Sequence, residues 1–313
     1  MRHVLAAAAL AVATALLVAA LPASGRPVSG APKCRIFPAN NHWNLRVDKL
    51  PVLPNSDAMV RGIGADDTLH PDFGSGTYEG APIGIPYTTV SKKRRRVKVA
   101  FEYADESDRG PYPIPPKAPI EGGPGSDGDR HVIVVDRDRC VLYELYAAYP
   151  QNGGASWRAG SGAIFSLRSN KVRPAGWTSA DAAGLPILPG LARYEEVKAG
   201  KIDHALRFTV SRSRRAYIYP ARHFASSNSD PDLPAMGQRL RLKASFDTSG
   251  YPRQARVVLN ALKRYGMIVA DNGSDWYISG APSKGWDNDQ LNALKRVEGS
   301  NFEVVDSTRL PRP

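Results

Sequence analysis

Residues 129–146 read DRHVIVVDRDRCVLYELY, two apolar-alternating runs around the polar stretch Asp136-Arg137-Asp138-Arg139. Alternation with period 2 on both sides of a short polar break predicts a β-hairpin, and a hairpin fixes which side chains share a face. With Arg137-Asp138 as a two-residue loop, Asp136 faces Arg139 and the rest follows by counting. His131 then faces Glu144, and Asp129 faces Tyr146, all on one side of the ribbon. An imidazole opposite a carboxylate, with a second carboxylate and a phenol beside it, is equipped to move protons. The alternative is a cross-strand ion pair that steadies a sheet edge, since facing charges are ordinary sheet chemistry.

The first 25 residues predict the compartment. Arg2-His3 form a short positive start, residues 4–20 are an uncharged Ala/Leu/Val run, and Ala23-Ser24-Gly25 supplies small residues for cleavage. This is the pattern of a secretory signal peptide. It predicts a mature chain starting near Ser24 or Arg26, secreted to an extracellular or periplasmic space, without stable insertion in a membrane. Cys34 and Cys140 are the only cysteines. In an oxidising compartment such a pair predicts one disulfide, closing a loop of roughly 100 residues. The alternative is two buried free thiols. Two cysteines without a CxxC spacing do not suggest a metal site, and no cofactor is expected.

Net charge is +12, and loss of Arg2 with the leader takes it to +11. Residues 92–96 and Lys98 carry six positives, and Arg212, Arg214 and Arg215 carry three, leaving +2 for the rest. The basicity is therefore two local patches. Such patches attract anionic polymers, or they are simply solvated turns. No zinc finger, RNP motif or basic strip interleaved with aromatics points to nucleic acid.

The mature residues 26–313 predict a single α+β domain. Its expected core is a largely antiparallel β-sandwich with short helices at its edges. Two Gly/Pro-rich loops, residues 70–87 and 105–128, precede the hairpin and could wall a cleft. Thr178 to Asp181 reads as a capped helix start. Residues 253–265 form the clearest helix, with Pro252 at its start, Ala255, Val258, Leu259 and Leu262 on one side, and Gly266 as its stop. A strand at residues 267–270, a hairpin turn at Asp271-Asn272-Gly273-Ser274-Asp275, a strand at residues 276–278 and a helix at residues 287–297 complete the C-terminal part. Residues 245–313 pack on the sheet or form a subdomain.

Outside the hairpin, His204 lies where a glycine turn meets a strand and would complete the cleft. His42, Trp43 and Trp177, with Tyr146, are candidate sugar platforms, although Trp and Tyr are more often core. Asp181 and Ser166 are candidate lining residues. There is no GxSxG and no HExxH.

Three segments, DRHVIVVDRDRCVLYELY, GLPILPGLARYEEVKAGKIDHALRF and LKRYGMIVADNGSDWYISG, resemble stretches of a group of secreted bacterial proteins of unknown function. The likeness runs from about Phe37 to the C-terminus. It implies one shared site that includes Asp129, Arg130, His131, Glu144 and His204, and it supplies no chemistry.

The expected function is a secreted enzyme, a glycoside hydrolase or polysaccharide lyase, acting as a monomer on anionic or neutral extracellular or wall polysaccharide. Glu144 is the expected general acid/base, His131 sets its proton affinity or acts as base, and Asp129 is the second carboxylate. The alternative is a non-catalytic polysaccharide- or wall-binding protein. The discriminator is whether Asp129, His131, Glu144 and His204 converge in one concave pocket.

Overall fold

A computed structural model describes residues 25–313; the leader reading falls almost wholly outside them. The fold is α+β, with 27% strand against 16% helix. Two sheets organise it. The first has four strands in the order Ser161–Ser166, Val141–Tyr146, Val132–Asp136, Tyr87–Val90. Its first three strands are antiparallel, and Tyr87–Val90 joins parallel to Val132–Asp136. The second has six strands in the order Phe302–Val305, Arg239–Leu242, Met267–Asn272, Leu206–Val210, Tyr277–Ser279, His70–Asp72. It too mixes parallel with antiparallel pairs. The expected largely antiparallel sandwich is thereby corrected to mixed sheets. Long loops and helices between successive strands bring several of them back in the same direction, which tight hairpins cannot do.

The predicted hairpin forms and lies at the centre of the four-stranded sheet, buried on both faces. Ile133, Val135 and Leu142 join a large core shared with Leu206, Phe208 and Ile268 of the six-stranded sheet. Val132, Val134, Tyr143 and Leu145 face a smaller core with Tyr112, Ile114 and Trp157. Any charged side chain on the first face must therefore find its partner inside the protein.

The helix Arg253–Arg264 buries Ala255, Val258, Leu259 and Leu262 on one side, as its periodicity requires. Gly266 ends it at φ 66°, and a Cβ there would sit 2.1 Å from the Leu240 carbonyl oxygen, so no other residue fits. The next strand, Met267–Asn272, does not form a hairpin with Tyr277–Ser279. Both pair instead with Leu206–Val210, which lies between them. The Asp271–Asp275 turn therefore spans a strand, correcting the expected C-terminal hairpin. No helix starts at Thr178. The Ser179 hydroxyl accepts from the Asp181 N–H at 2.9 Å and lies 2.5 Å from the Leu185 carbonyl oxygen, so side chain and backbone close a tight irregular loop.

Cys34 and Cys140 form the predicted disulfide, with Cα atoms 5.1 Å apart. It ties the N-terminal strand Ala31–Arg35 to the hairpin turn. With a sequence separation of 106, loss of the bridge in Cys34→Ser/Cys140→Ser is expected to cost on the order of 4 kcal/mol through the unfolded chain. Urea unfolding of the variant against the oxidised protein measures this.

Candidate functional site: a charged layer between two clefts

The hairpin turn sets the register. The Asp136 carboxylate accepts the N–H groups of Asp138 and Arg139 at 3.1 and 3.0 Å, and the Cys140 N–H donates to the Asp136 carbonyl at 2.8 Å. Cys140 takes φ 55°, so residues 137–140 all belong to the loop and Asp136 pairs with Val141. The register is thus two residues away from that of a two-residue loop. Ile133, not His131, faces Glu144. Because the slip is even, the face survives: His131, Ile133, Glu144 and Tyr146 still point the same way. The His131 ring lies 6.0 Å from that of Tyr146.

His131 is buried and has an acceptor at each nitrogen. Nδ1 is 2.5 Å from Glu121 Oε2, and Nε2 is 2.9 Å from the Ala180 carbonyl oxygen. Two acceptors require two N–H donors, which is the imidazolium. Burial alone would strip that proton, but the charge of Glu121 and its hydrogen bond outweigh it and lift His131 to about 9. Burial conversely works to raise the Glu121 carboxyl, and His131 overcomes it, leaving Glu121 below its ordinary value. An imidazole that stays protonated up to about pH 9, with both nitrogens engaged, holds the loops around it in place and is not a free base.

Glu144 is 0% exposed. Both of its oxygens accept the Ile187 N–H, at 3.1 and 2.9 Å, and Oε1 also accepts the Leu188 N–H at 2.9 Å. Burial pushes it up to about 7 against the pull of these two donors. The expected general acid/base is thus sealed from any substrate, which corrects that assignment. Glu144 anchors the start of the turn Leu188–Gly190 to the sheet.

Arg207 and Asp271 belong to the same layer and had no part in the sequence reading of the site. Asp181, a candidate lining residue there, joins them. Arg207 donates to Asp181 through Nε at 3.0 Å and Nη2 at 2.7 Å, and through Nη1 to the Ser279 hydroxyl at 2.5 Å. Asp271 Oδ2 lies 3.8 Å from Arg207 Nη2, and its side chain remains 21% exposed. Burial, the charge of Asp181 and a hydrogen bond to Asp181 raise the Asp271 carboxyl well above its ordinary value. Two carboxyl groups crowded together resist simultaneous ionisation, so Asp271 holds its proton more tightly than an isolated carboxyl does.

Two clefts flank this layer. One, of about 350 Å³, is lined by Asp181, Asp271, Asp129, Tyr146, Ser161 and His223 among others. The other, of about 650 Å³, is lined by Glu121, Asp72, His70, Tyr277, Asn288 and Lys295 among others. The His131 imidazolium reaches from Glu121 on the wall of the larger cleft to Ala180 on the wall of the smaller one.

The remaining candidates separate. Asp129 is exposed on the smaller cleft, and the half-buried Tyr146 lines it too. Arg130 is buried at φ 52°, just ahead of the strand Val132–Asp136, and its guanidinium donates to the carbonyls of Pro124, Ser126 and Ala148. His204 lies elsewhere, buried against Glu196 at 3.1 Å, which also pairs with Arg193. His204 therefore does not complete the cleft. Trp43 is core and His42 is buried edge-on to Tyr219, so neither is an exposed sugar platform. Trp177 is half-buried under the Arg173 guanidinium, beside cleft residue Thr178. Ser166 sits at the turn end of its strand, opposite Val141, while Ser161 at the other end reaches the cleft.

Arg207 left one sequence signal. It interrupts an apolar strand, and a guanidinium between apolar neighbours needs a buried carboxylate. Asp271, at the end of an apolar strand, read as turn chemistry, and Glu121 in its Pro/Gly loop gave no signal.

No protein-family model, curated protein or solved structure matches the chain. Among the described residues, no group of three or more His, Cys, Asp or Glu side chains is arranged to hold a metal ion.

Two outcomes follow from this geometry. His131 is raised above its unfolded value of 6.5, so its contribution to stability is full below about pH 6.5 and is lost as pH rises through about 9. Thermal unfolding should show a falling Tm across that window, and His131→Gln should flatten it. Glu144→Ala leaves two buried N–H groups bare and is expected to cost on the order of 3 kcal/mol, read by denaturant unfolding.

Proposed function

We propose that the protein is an exported acid/base enzyme that cleaves a polysaccharide, by hydrolysis or elimination, in the smaller cleft. The observation that carries this reading is Asp271, a partly exposed carboxyl on the cleft wall beside Asp181, whose affinity for its proton burial and Asp181 raise. A carboxyl whose hold on its proton is strengthened in this way is suited to protonate the oxygen of a departing sugar. Asp129, exposed in the same cleft, is the second carboxylate, placed to accept a proton from water or from a sugar C–H. Tyr146 and Tyr103 supply ring faces along the cleft. His131 acts through its neighbours: its charge lowers Asp271, opposing the larger upward push of burial and Asp181. The acid-rich lining favours a neutral chain as substrate. Export is supported by the leader-like first 25 residues and by the disulfide.

A binding protein without catalysis is the second reading. It is favoured by the stack of His70 on Tyr277, with centroids 4.0 Å apart, on the wall of the larger cleft. Such a stack offers a flat face to a sugar ring.

Release of reducing or unsaturated ends from a panel of polysaccharides decides between them. Asp271→Asn is expected to lower turnover on the responding polymer by roughly 100-fold or more, with little change in Tm. The wild-type rate should also fall on the alkaline side as Asp271 gives up its proton. An Asp271→Asn protein that keeps full rate, or a wild type that binds a polymer and releases no ends, would overturn the enzymatic reading.

A further inference from the structure

The hairpin turn collects four cationic segments that are far apart in sequence. The disulfide places Lys33 and Arg35 beside Cys140. Residues 92–96, reading KKRRR, are fastened to the same turn. The Lys92 N–H donates to the Asp138 carboxylate at 2.7 Å, Arg139 Nη1 to the Lys92 carbonyl at 3.4 Å, and the Arg137 N–H to the Val90 carbonyl at 2.9 Å. The Leu167 N–H donates to the Cys140 carbonyl at 2.9 Å, which brings Arg168, and three residues on Lys171, to the same end.

These four segments hold 11 Lys and Arg: two near Cys34, five in residues 92–96, two in the turn, and Arg168 with Lys171. The only carboxylates among them are Asp136 and Asp138. Asp136 is buried and bound to turn N–H groups and Arg139, and Asp138 caps Lys92. The surplus of nine is most of the chain's +12. Nine of the 11 side chains are exposed; Arg94 and Arg96 are half-buried.

We infer that this end of the molecule is an anchoring surface for an acidic polysaccharide, separate from the cleft. The separation is geometric. The turn and the cleft residues Asp129 and Tyr146 lie at opposite ends of the hairpin, whose strand Val132–Asp136 spans roughly 17 Å of extended chain. That exceeds the screening length of about 8–10 Å at ordinary salt, so the acidic cleft does not cancel the patch. A polyanion would be repelled by the exposed Asp129 carboxylate of the cleft and held at the other end. The choice among polyanions rests on what the patch lacks. Among the described residues the exposed large apolar side chains are Val52, Tyr78, Tyr103 and Tyr149, none in these four segments. There is thus no ring to stack on a nucleic-acid base and no apolar wedge to enter a bilayer. What remains is a rigid, disulfide-tied array of guanidinium and ammonium groups, which suits carboxylates or sulfates repeated along a polymer.

The test uses the mature chain with polygalacturonate and dextran sulfate as probes, neutral dextran as control, and duplex DNA and anionic phospholipid vesicles as competitors. Both acidic polysaccharides are expected to bind, with affinity falling steeply as sodium chloride is raised, and dextran is not. The exposed-surface variant Lys92→Glu/Lys93→Glu/Arg95→Glu is expected to lose about tenfold or more in affinity. It should keep the wild-type Tm and any cleavage of short oligosaccharides. Absence of binding, binding unaltered in the variant, equal binding to dextran, or tighter binding to DNA or vesicles would overturn the proposal. The two acidic probes separate carboxylate from sulfate preference.

Discussion

An imidazole with an acceptor on each nitrogen holds this protein's interior together. His131 projects from the central hairpin into the space between the two main sheets, where water cannot serve it. Glu121 comes to it from the long Pro/Gly loop and Ala180 from the irregular segment after Thr178. Both loops are thereby pinned against the same strand, and each carries part of a cleft wall. Glu144 does the same for the next stretch, taking the N–H groups of Ile187 and Leu188. Loops with little secondary structure of their own are positioned by buried charge. Removing one partner leaves the other stranded, at a cost well above the net worth of the intact pair.

That same layer creates the unusual carboxyl of the cleft. Arg207 is committed to Asp181 by a two-point contact and only grazes Asp271 at 3.8 Å. Asp271 feels the Asp181 charge and the loss of water more than it feels the guanidinium. Its raised affinity for a proton is a product of geometry, and a small shift of Arg207 toward it would lower that affinity. The proposed chemistry thus depends on a pairing preference set by strand positions in a sheet.

Charge is also divided along the long axis of the hairpin. The turn end is dense with Lys and Arg, and the opposite end opens on carboxylates. A protein anchored by its basic end would present its acidic cleft away from the anchoring polymer, toward a chain of different charge.

Period-2 alternation in residues 129–146 was enough to predict the hairpin and to put His131, Glu144 and Tyr146 on one face, because an even slip in register does not change sides. The cysteine pair predicted the bridge, since two thiols in a chain expected to be exported have only each other. Apolar spacing and Gly266 marked the helix Arg253–Arg264, because both are local. The exact register was decided by the tertiary structure, where Asp136 closes a longer loop and Cys140 turns toward Cys34. Sheet order was decided there too: Leu206–Val210 inserts between two strands that are neighbours in sequence. The site needed Glu121, Asp181, Arg207 and Asp271, which are separated by tens of residues and have no common period. Local pattern fixes which way a side chain points, but a buried charge is satisfied by whatever the fold brings within 3 Å of it, and that is a property of the whole chain.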